Sequence, residues 1–216
     1  MPAGSRKRAR VLTHEEIWSF WNTAEQCGIH RLSALALKLV LLTGQRPGEV
    51  AGMRWSEIHE TPDGHTWHIP ENRRGKTETA HTVHVTKTAL EILKAVKVEV
   101  DRLNKRRKPT ELTDHVFQAR PGRPVTPSAL SRAVKRYAAD LGNQDASVWG
   151  HWTPHDLRRT MRTQLTALDR FSDVVIEQTI GHTRKGIQSV YDQHRYVKET
   201  RAALTAWEIR LNELVA

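Results

Sequence analysis

The sequence has one cysteine and no long apolar run. The single thiol, Cys27, excludes a disulfide within the 216-residue chain and any metal site built from cysteine pairs. The most apolar segment, residues 32–42, is too short to cross a bilayer and contains Lys38. The opening residues, MPAGSRKRAR, lack the apolar region of a secretion signal. We therefore expect an intracellular chain with no membrane partner.

Acidic residues are too few to balance the basic ones. Lysine and arginine total 34 against 24 aspartate and glutamate, which gives a formal net charge of +10. Such an excess favours a polyanionic partner, and nucleic acid is the commonest one. The basic residues are dispersed rather than gathered on one amphipathic helix, which disfavours an anionic membrane. A solvated basic surface is the alternative that composition leaves open.

Metal ligands in the usual groupings are also missing, although the chain has 12 histidines. Four of them, His65, His68, His81 and His84, crowd two neighbouring segments. His81 and His84 are separated by an odd interval, which places them on opposite faces of a strand. No carboxylate or cysteine joins them at the spacing of metal ligands. We predict no metal and no cofactor, and histidines that are solvated or face DNA.

Helix signals dominate the rest of the chain. Residues 13–16 form a capping box, Pro47 and Pro154 suit first helical turns, and Ser172 is a helix N-cap. Residues 32–42 are apolar almost all round, which predicts a central buried helix. Helical spacing of apolar residues marks three further segments, residues 88–103, 128–141 and 197–215. Tryptophans on the apolar faces are predicted to be core residues, among them Trp18, Trp21 and Trp207.

Strand signals are few. Residues 66–70 and 80–85 alternate as strands do, and the polar segment between them contains Gly75, so the pair predicts a hairpin. Val116 and Phe117 suggest one more short strand. The predicted fold class is therefore mainly α with a small antiparallel β-sheet, an α+β chain.

Arg46 stands in the word TGQRPGE, at the start of the helix that Pro47 predicts. A helix N-terminus has free amide groups and is a natural site for an anion. His155 and Arg158, in the word HDLR, are three residues apart and share one face of their helix. Arginine keeps its proton and presents a planar fork that matches phosphate oxygens. Two arginines from distant segments can thus hold one phosphodiester, whereas HDLR alone is more often an ordinary basic helix surface.

Other candidates accompany this pair. Glu49 can hold a catalytic group by a hydrogen bond or simply complement the helix dipole. His182 follows Gly181, a helix-ending glycine, and a lone histidine there is usually structural. Tyr191 has an unperturbed pKa near ~10, so it needs cations or a base before it can act as a nucleophile at neutral pH. Lys76 lies in the hairpin word GKT, which lacks the upstream glycine of a phosphate-binding P-loop.

The words TGQRPGE, GKT, HDLR and GHT, followed by a tyrosine nine residues after the histidine, resemble in their order the catalytic domain of the tyrosine recombinases, the phage-type integrases. The resemblance covers roughly residues 11–196. It implies that fold, and a site-specific recombinase that cleaves and rejoins DNA, integrating or excising a prophage or genomic island. A type IB topoisomerase-like activity and a non-catalytic DNA-binding module of the same fold are the alternatives.

The resemblance also assigns roles. Tyr191 would attack a DNA phosphodiester and form a 3′-phosphotyrosine, while Arg46 and Arg158 would stabilise the pentacoordinate phosphate. His155 would transfer the tyrosine proton and His182 would hydrogen-bond a non-bridging oxygen. Lys76 would protonate the 5′-oxygen, without metal or ATP. Two assignments stay open. Tyr196 is an alternative nucleophile, although the spacing of Tyr191 from His182 fits the family. The alternatives to Lys76 as the proton donor are Arg73, Arg74 and Lys87.

Its implications extend to organisation. Residues 1–10 are expected to be a basic linker or a remnant of cloning, residues 11–196 the catalytic domain, and residues 197–216 a helix that packs in cis or in trans. The expected partner is double-stranded DNA, with a homo-tetramer forming on DNA in a full-length protein and a monomer for this piece alone. The expected location is the cytoplasm of a bacterial cell or phage-infected host.

Overall fold

Helices make up most of the protein. The computed structural model describes residues 10–74, 79–106, 108, 112–145, 151–182 and 196–216. Its helices are α1 (His14–Thr23), α2 (Arg31–Thr43), α3 (Pro47–Ala51), α4 (Lys87–Asn104), α5 (Pro127–Asp145), α6 (Pro154–Ala167), α7 (Asp173–Thr179) and α8 (Val197–Val215). Its strands are β1 (Ile58–Thr61), β2 (Gly64–Ile69), β3 (His81–Val85), β4 (Gln118–Arg120) and β5 (Arg123–Pro124). The mainly α class with small antiparallel sheets is confirmed.

The predicted helix starts are confirmed at residue level. Thr13 caps α1 by accepting from the backbone of Glu16, whose carboxylate accepts in turn from the Thr13 backbone at 2.9 Å. Pro47 and Pro154 each occupy the first position of a helix, and Ser172 caps α7. Local side-chain chemistry therefore fixes where these helices begin.

Helix α2 is the centre of the fold, as its apolar composition predicts. Every residue of this helix after Arg31 is buried, and α3, α4, α5, α6 and α8 all pack against it. Its one buried cation, Lys38, is neutralised by Glu25 at 2.5 Å and lies over the ring of Trp21. A helix surrounded in this way holds the ends of its neighbours in fixed positions.

The main sheet has one more strand than the sequence indicated. Strands β2 and β3 form the predicted antiparallel pair, with Trp67 opposite Val83, and β1 adds to the other edge of β2. Strand β1 reads IHET and has no buried residue, so it lacks the apolar alternation that marks a strand. The face of the sheet that carries Trp67 and Val83 belongs to the core.

The predicted strand at Val116 and Phe117 is wrong. Both residues are fully buried, but the short strand β4 begins one residue later and pairs with β5.

Three aromatic rings, of Phe20, Tyr137 and Trp152, meet edge to face, with centroids 5.4–6.2 Å apart. This cluster ties α1 and α5 to the segment that leads into α6.

Helix α8 packs against α1, α2, α6, α7 and β3. Its Trp207 is fully buried and donates from Nε1 to the carbonyl oxygen of Leu41 at 3.0 Å. Trp207 is thus a core residue as predicted, whereas Trp18 is wrongly predicted, because 47 % of it is exposed. Within the described ranges, no helix combines the length and apolar character needed to cross a bilayer.

Candidate active site

Arg46 lies at the N-terminal end of α3, as Pro47 predicts. Glu49, in the first turn of the helix, accepts from the Arg46 backbone N–H through Oε2 and from the Arg46 guanidinium through Oε1, both at 2.9 Å. Burial raises the pKa of Glu49, but the hydrogen bond and charge of Arg46 and the charge of Arg74 outweigh it, so the net pKa is lowered. Glu49 is therefore an ionised, buried anchor for Arg46, whose side chain remains 27 % exposed.

Arg158 projects from α6 into the interior. Its Nη1 donates to the carbonyl oxygens of Gly44 and Ile180, both at 2.7 Å, and these carbonyls stand at the C-terminal ends of α2 and α7. The negative ends of two helix dipoles thus accept the arginine charge. Its Nη2 is buried and has no hydrogen-bond partner among the described residues. Burial, then the charge of Arg46, lowers the pKa of Arg158 to about 10, so it stays cationic at neutral pH.

The residues around Arg46 bring these two helix ends together. Gly44 ends α2 with a φ of 66°, a conformation that favours glycine. A Cβ there would stand 2.7 Å from Sδ of Met161, so α6 packs directly against this turn. The buried Gln45 side chain donates to the carbonyl oxygen of Thr179 at 3.0 Å and ties the turn to the last residue of α7.

His155 occupies the first turn of α6, three residues before Arg158. The turn is fixed by Asp156, whose carboxylate accepts from the backbone and hydroxyl of Thr153, each at 2.8 Å. Partial burial, then the charge of Arg158, lowers the pKa of His155. The imidazole is therefore neutral at pH 7 and able to accept a proton.

His182 is placed by the way α7 ends. Gly181 has a φ of 75° and donates to the carbonyl of Gln178, and the His182 N–H donates to the carbonyl of Glu177 at 2.8 Å. This is a Schellman motif, so the glycine–histidine word is first a helix terminator. Glu177 also hydrogen-bonds the His182 ring at Nδ1, while Arg162 holds the same carboxylate. The imidazole is anchored through one nitrogen, which leaves Nε2 for another partner.

A shallow cleft brings together Arg46, Glu49 and His155, whereas Arg158 and His182 are not part of its lining. Its lining consists of Arg46, Gly48, Glu49, Arg73, Arg74, Pro127 and His155. The charges of Arg46 and Arg74 both lower the pKa of Arg158, which places three arginine charges around the single carboxylate of Glu49. An excess of fixed positive charge beside a neutral imidazole suits the binding and chemistry of a phosphodiester.

Two predicted residues, Lys76 and Tyr191, lie outside the described residues. Their rivals are partly described. Tyr196 lines a different cavity, of about 520 Å³, with His84 and Arg201. Arg73 binds Glu57, and Arg74 is completely buried.

Sequence reasoning missed the residues that hold the site together. Arg74 was considered only as a rival proton donor, yet it binds Glu49 and Gly181. Glu177 had no motif of its own, although its place at the third-last position of α7 follows from the Gly181 terminator. His81 was predicted to be solvated or DNA-facing, and this is wrong: its Nε2 is buried, and burial lowers its pKa to about 3.

Comparison with known proteins finds relatives that cover most of the chain. Residues 10–198 match the phage integrase family. The prophage integrase IntZ of Escherichia coli K12 is 27 % identical over 202 residues, which are 93 % of this chain and 44 % of that protein. The prophage integrase IntA of the same organism is 31 % identical over 170 residues, 77 % of this chain and 36 % of that protein. The chain thus spans less than half the length of these two relatives.

Solved structures share the fold at lower identity. XerH site-specific recombinase bound to its difH substrate, in a pre-cleavage complex, superposes with a TM-score of 0.60 at 19 % identity, covering 89 % of this chain and 52 % of that one. The lambda integrase catalytic core superposes with a TM-score of 0.58 at 19 % identity, covering 82 % of this chain and 94 % of that one.

Proposed function

The chain belongs to the phage integrase family, and from this membership we propose that it is the catalytic part of a site-specific DNA recombinase. It cleaves double-stranded DNA through a covalent 3′-phosphotyrosine and rejoins it to a new partner, integrating or excising a mobile element. The observation that carries this proposal is the meeting of Arg46, His155 and Arg158 in one region, although Arg46 precedes His155 by 109 positions in the sequence.

The cations supply the phosphate clamp. Arg46 is partly exposed and fixed by Glu49, and Arg158 has a buried Nη2 with no partner in the described part of the chain. A non-bridging phosphate oxygen satisfies such a donor, and the negative charge that develops during attack strengthens the contact. His182, anchored at Nδ1 by Glu177, presents Nε2 to a non-bridging oxygen.

The proton path follows from His155. Tyr191 attacks phosphorus through its phenolic oxygen and passes its proton to the neutral imidazole of His155. The bond to the 5′-oxygen breaks, and Lys76 gives that oxygen a proton, which leaves a 5′-hydroxyl. The reverse reaction with the 5′-hydroxyl of another strand rejoins the DNA, because the phosphotyrosine conserves the bond energy. Tyr191 is favoured over Tyr196 because the latter lines a different cavity. Lys76 is favoured over Arg73 and Arg74 because both arginines are bound to carboxylates.

The test is a trapping experiment with a pool of nicked duplexes of randomised sequence, in which cleavage beside the nick releases a short fragment and prevents rejoining. The wild-type chain is expected to form an adduct that resists SDS and contains a phosphotyrosine by mass spectrometry. Tyr191→Phe should form none, and Tyr196→Phe should retain it. An adduct that persists in Tyr191→Phe and disappears in Tyr196→Phe contradicts the assignment of the nucleophile. DNA binding by the wild type without any adduct supports the non-catalytic alternative.

The full-length assembly is proposed on the same family membership. A tetramer on two DNA duplexes, working in the cytoplasm, suits an enzyme that exchanges strands between partners. Sedimentation of the full-length protein with and without attachment-site DNA measures this. Plasmid relaxation without recombinant products would instead favour the topoisomerase-like alternative.

A further inference from the structure

Arg74 is an unusual arginine because its side chain has no solvent exposure at all. It follows the turn over Glu71–Arg73, just before the hairpin word that contains Lys76. A buried guanidinium loses its hydration, so it persists only where the protein supplies several acceptors. Arg74 has at least three: the Glu49 carboxylate and the carbonyl oxygens of Thr79 and Gly181.

The first contact connects Arg74 to Arg46. Nε of Arg74 donates to Oε1 of Glu49 at 3.2 Å, and Nη1 of Arg46 donates to the same oxygen at 2.9 Å. One carboxylate oxygen is therefore shared between an arginine that faces the cleft and one that lies inside the protein. Because Glu49 is shared with Arg74, it neutralises the charge of Arg46 less completely than it would if Arg46 were its only cation.

The other two contacts connect Arg74 to the hairpin and to His182. Nη1 donates to the Thr79 carbonyl at 2.9 Å, on the far side of the hairpin word, and Nη2 donates to the carbonyl of Gly181. A Cβ on Gly181 would stand 2.7 Å from that Nη2, so the guanidinium fits closely against the turn. Gly181 immediately precedes His182, and the contact fixes the backbone from which the histidine side chain starts.

We infer that Arg74 is a positioning residue for strand cleavage, which joins the anchor of Arg46, the carbonyl of Thr79 three residues after Lys76 and the turn before His182. This inference rests on the proposed function, because strand cleavage is the reaction that requires the three segments to be aligned. Arg74 acts through its neighbours, because its guanidinium is occupied by Glu49, Thr79 and Gly181 and its side chain has no solvent exposure, although it belongs to the wall of the cleft.

The decisive variant is Arg74→Met, which keeps the length of the side chain and removes its charge and hydrogen bonds. Misalignment of catalytic groups by about 1 Å lowers a rate by about 100-fold. We expect the single-turnover rate of adduct formation to fall by about that factor, while the Kd for DNA changes by less than about threefold. Lys38→Met is the matched control, because it removes another buried, carboxylate-paired cation that does not line the cleft; its rate should stay within about threefold of wild type.

A second pair of variants separates positioning from a merely structural role. In Arg74→Met, Arg46 is the remaining arginine of the pair on Glu49, and the carboxylate neutralises its charge more fully. The double variant Arg74→Met/Glu49→Gln should therefore be about tenfold faster than Arg74→Met. Glu49→Gln alone should be slower than wild type. Arg74→Lys keeps the charge but cannot make all three contacts, and should lose about tenfold. Arg74→Lys carries the test if Arg74→Met melts below the assay temperature.

Three results overturn the inference: a rate for Arg74→Met within threefold of wild type, a loss that resides in the Kd for DNA, or double-variant effects that simply multiply. If Arg74→Met does not fold, a wild-type rate for Arg74→Lys overturns it equally. The absence of any adduct from the wild-type chain overturns the proposed function and this inference together. A wild type that forms the adduct, together with an Arg74 variant that forms it at the wild-type rate, overturns only the inference.

Discussion

At the scale of single residues, the site depends on charges that are kept inside the protein by their neighbours. Glu49 has arginines on two sides, and Arg158 is held by helix-end carbonyls rather than by a carboxylate. His81, close to Arg74 and Gly181, completes this interior as a neutral group. Burying any one of these side chains alone would cost free energy of desolvation, and the hydrogen bonds and charges of its neighbours offset that cost.

His81 gives the protein a pH dependence of stability. Burial, then the charge of Arg74, lowers its pKa from 6.5 to about 3 in the folded chain. Between these two values the unfolded chain binds a proton that the folded chain does not, so stability is complete above pH 6.5 and falls as the pH decreases. The slope from this residue is at most about 1.4 kcal/mol per pH unit. The free energy of unfolding, measured in urea at pH 7.5 and at pH 5, should change less with pH for His81→Gln than for wild type.

The control for this prediction is His68→Gln, which changes an exposed histidine on the neighbouring strand. It should keep the wild-type slope. Equal slopes for wild type and His81→Gln would mean that the buried imidazole is protonated in the folded protein.

At the scale of elements, the proposed catalytic groups lie at helix ends. Arg46 precedes the first residue of α3, His155 lies in the first turn of α6, and His182 follows the terminator of α7. Helix ends have free N–H or carbonyl groups and abrupt changes of direction, so they place polar side chains beside one another. The glycine at 44 is central to this arrangement because two helices pack against its turn.

Gly44→Ala should destabilise the protein by about 2–4 kcal/mol, from the left-handed φ of 66° and from overpacking against Met161, 2.7 Å from the new Cβ. Gly48→Ala is the matched comparison, because its Cβ would make an ordinary contact with Pro127 at 3.7 Å. It should be neutral or slightly stabilising. Denaturant midpoints measure both, and equal losses would show that any added methyl group near this turn is harmful.

This scale also explains what the sequence could predict. Capping residues and terminal prolines act within one turn of a helix, so Thr13, Pro47, Pro154 and Ser172 predicted the helix starts correctly. The same local reasoning placed Arg46 and His182 at helix ends. Strand β1 was missed because a polar edge strand has no apolar alternation. Arg74 was misread because its meaning depends on partners 25 and 107 residues away, which no local pattern reveals.

At the scale of the whole molecule, the excess of basic residues bears on the proposed binding of DNA. A net charge of +10 attracts a polyanion at long range, but only the cations that neutralise phosphates release counterions and set the salt dependence. A cation such as Arg74, whose guanidinium is occupied by groups of the protein, contributes to the field without making such a contact. The two classes of cation are therefore distinguishable by their response to salt.

DNA affinity should fall steeply between 50 and 200 mM salt, with log K linear in log salt concentration. Arg46→Met removes one phosphate contact and should make the slope less steep by about 0.9. Arg74→Met removes the same formal charge from the interior and should leave the slope unchanged. Fluorescence anisotropy at five salt concentrations measures the three slopes; equal changes in the two variants would show that total charge, and not contact, sets the slope.

The contacts of Arg158 have a consequence for the order of events during synthesis. Its carbonyl partners are 114 residues before it and 22 residues after it. Contacts between such distant positions form only after most of the chain has been ordered. The contacts of Arg158 are therefore complete only after the chain on both sides of it has been ordered, and a chain that stops before residue 180 lacks one of the two carbonyl partners. Under the proposed function, competence to cleave DNA appears only once the end of α7 is in place.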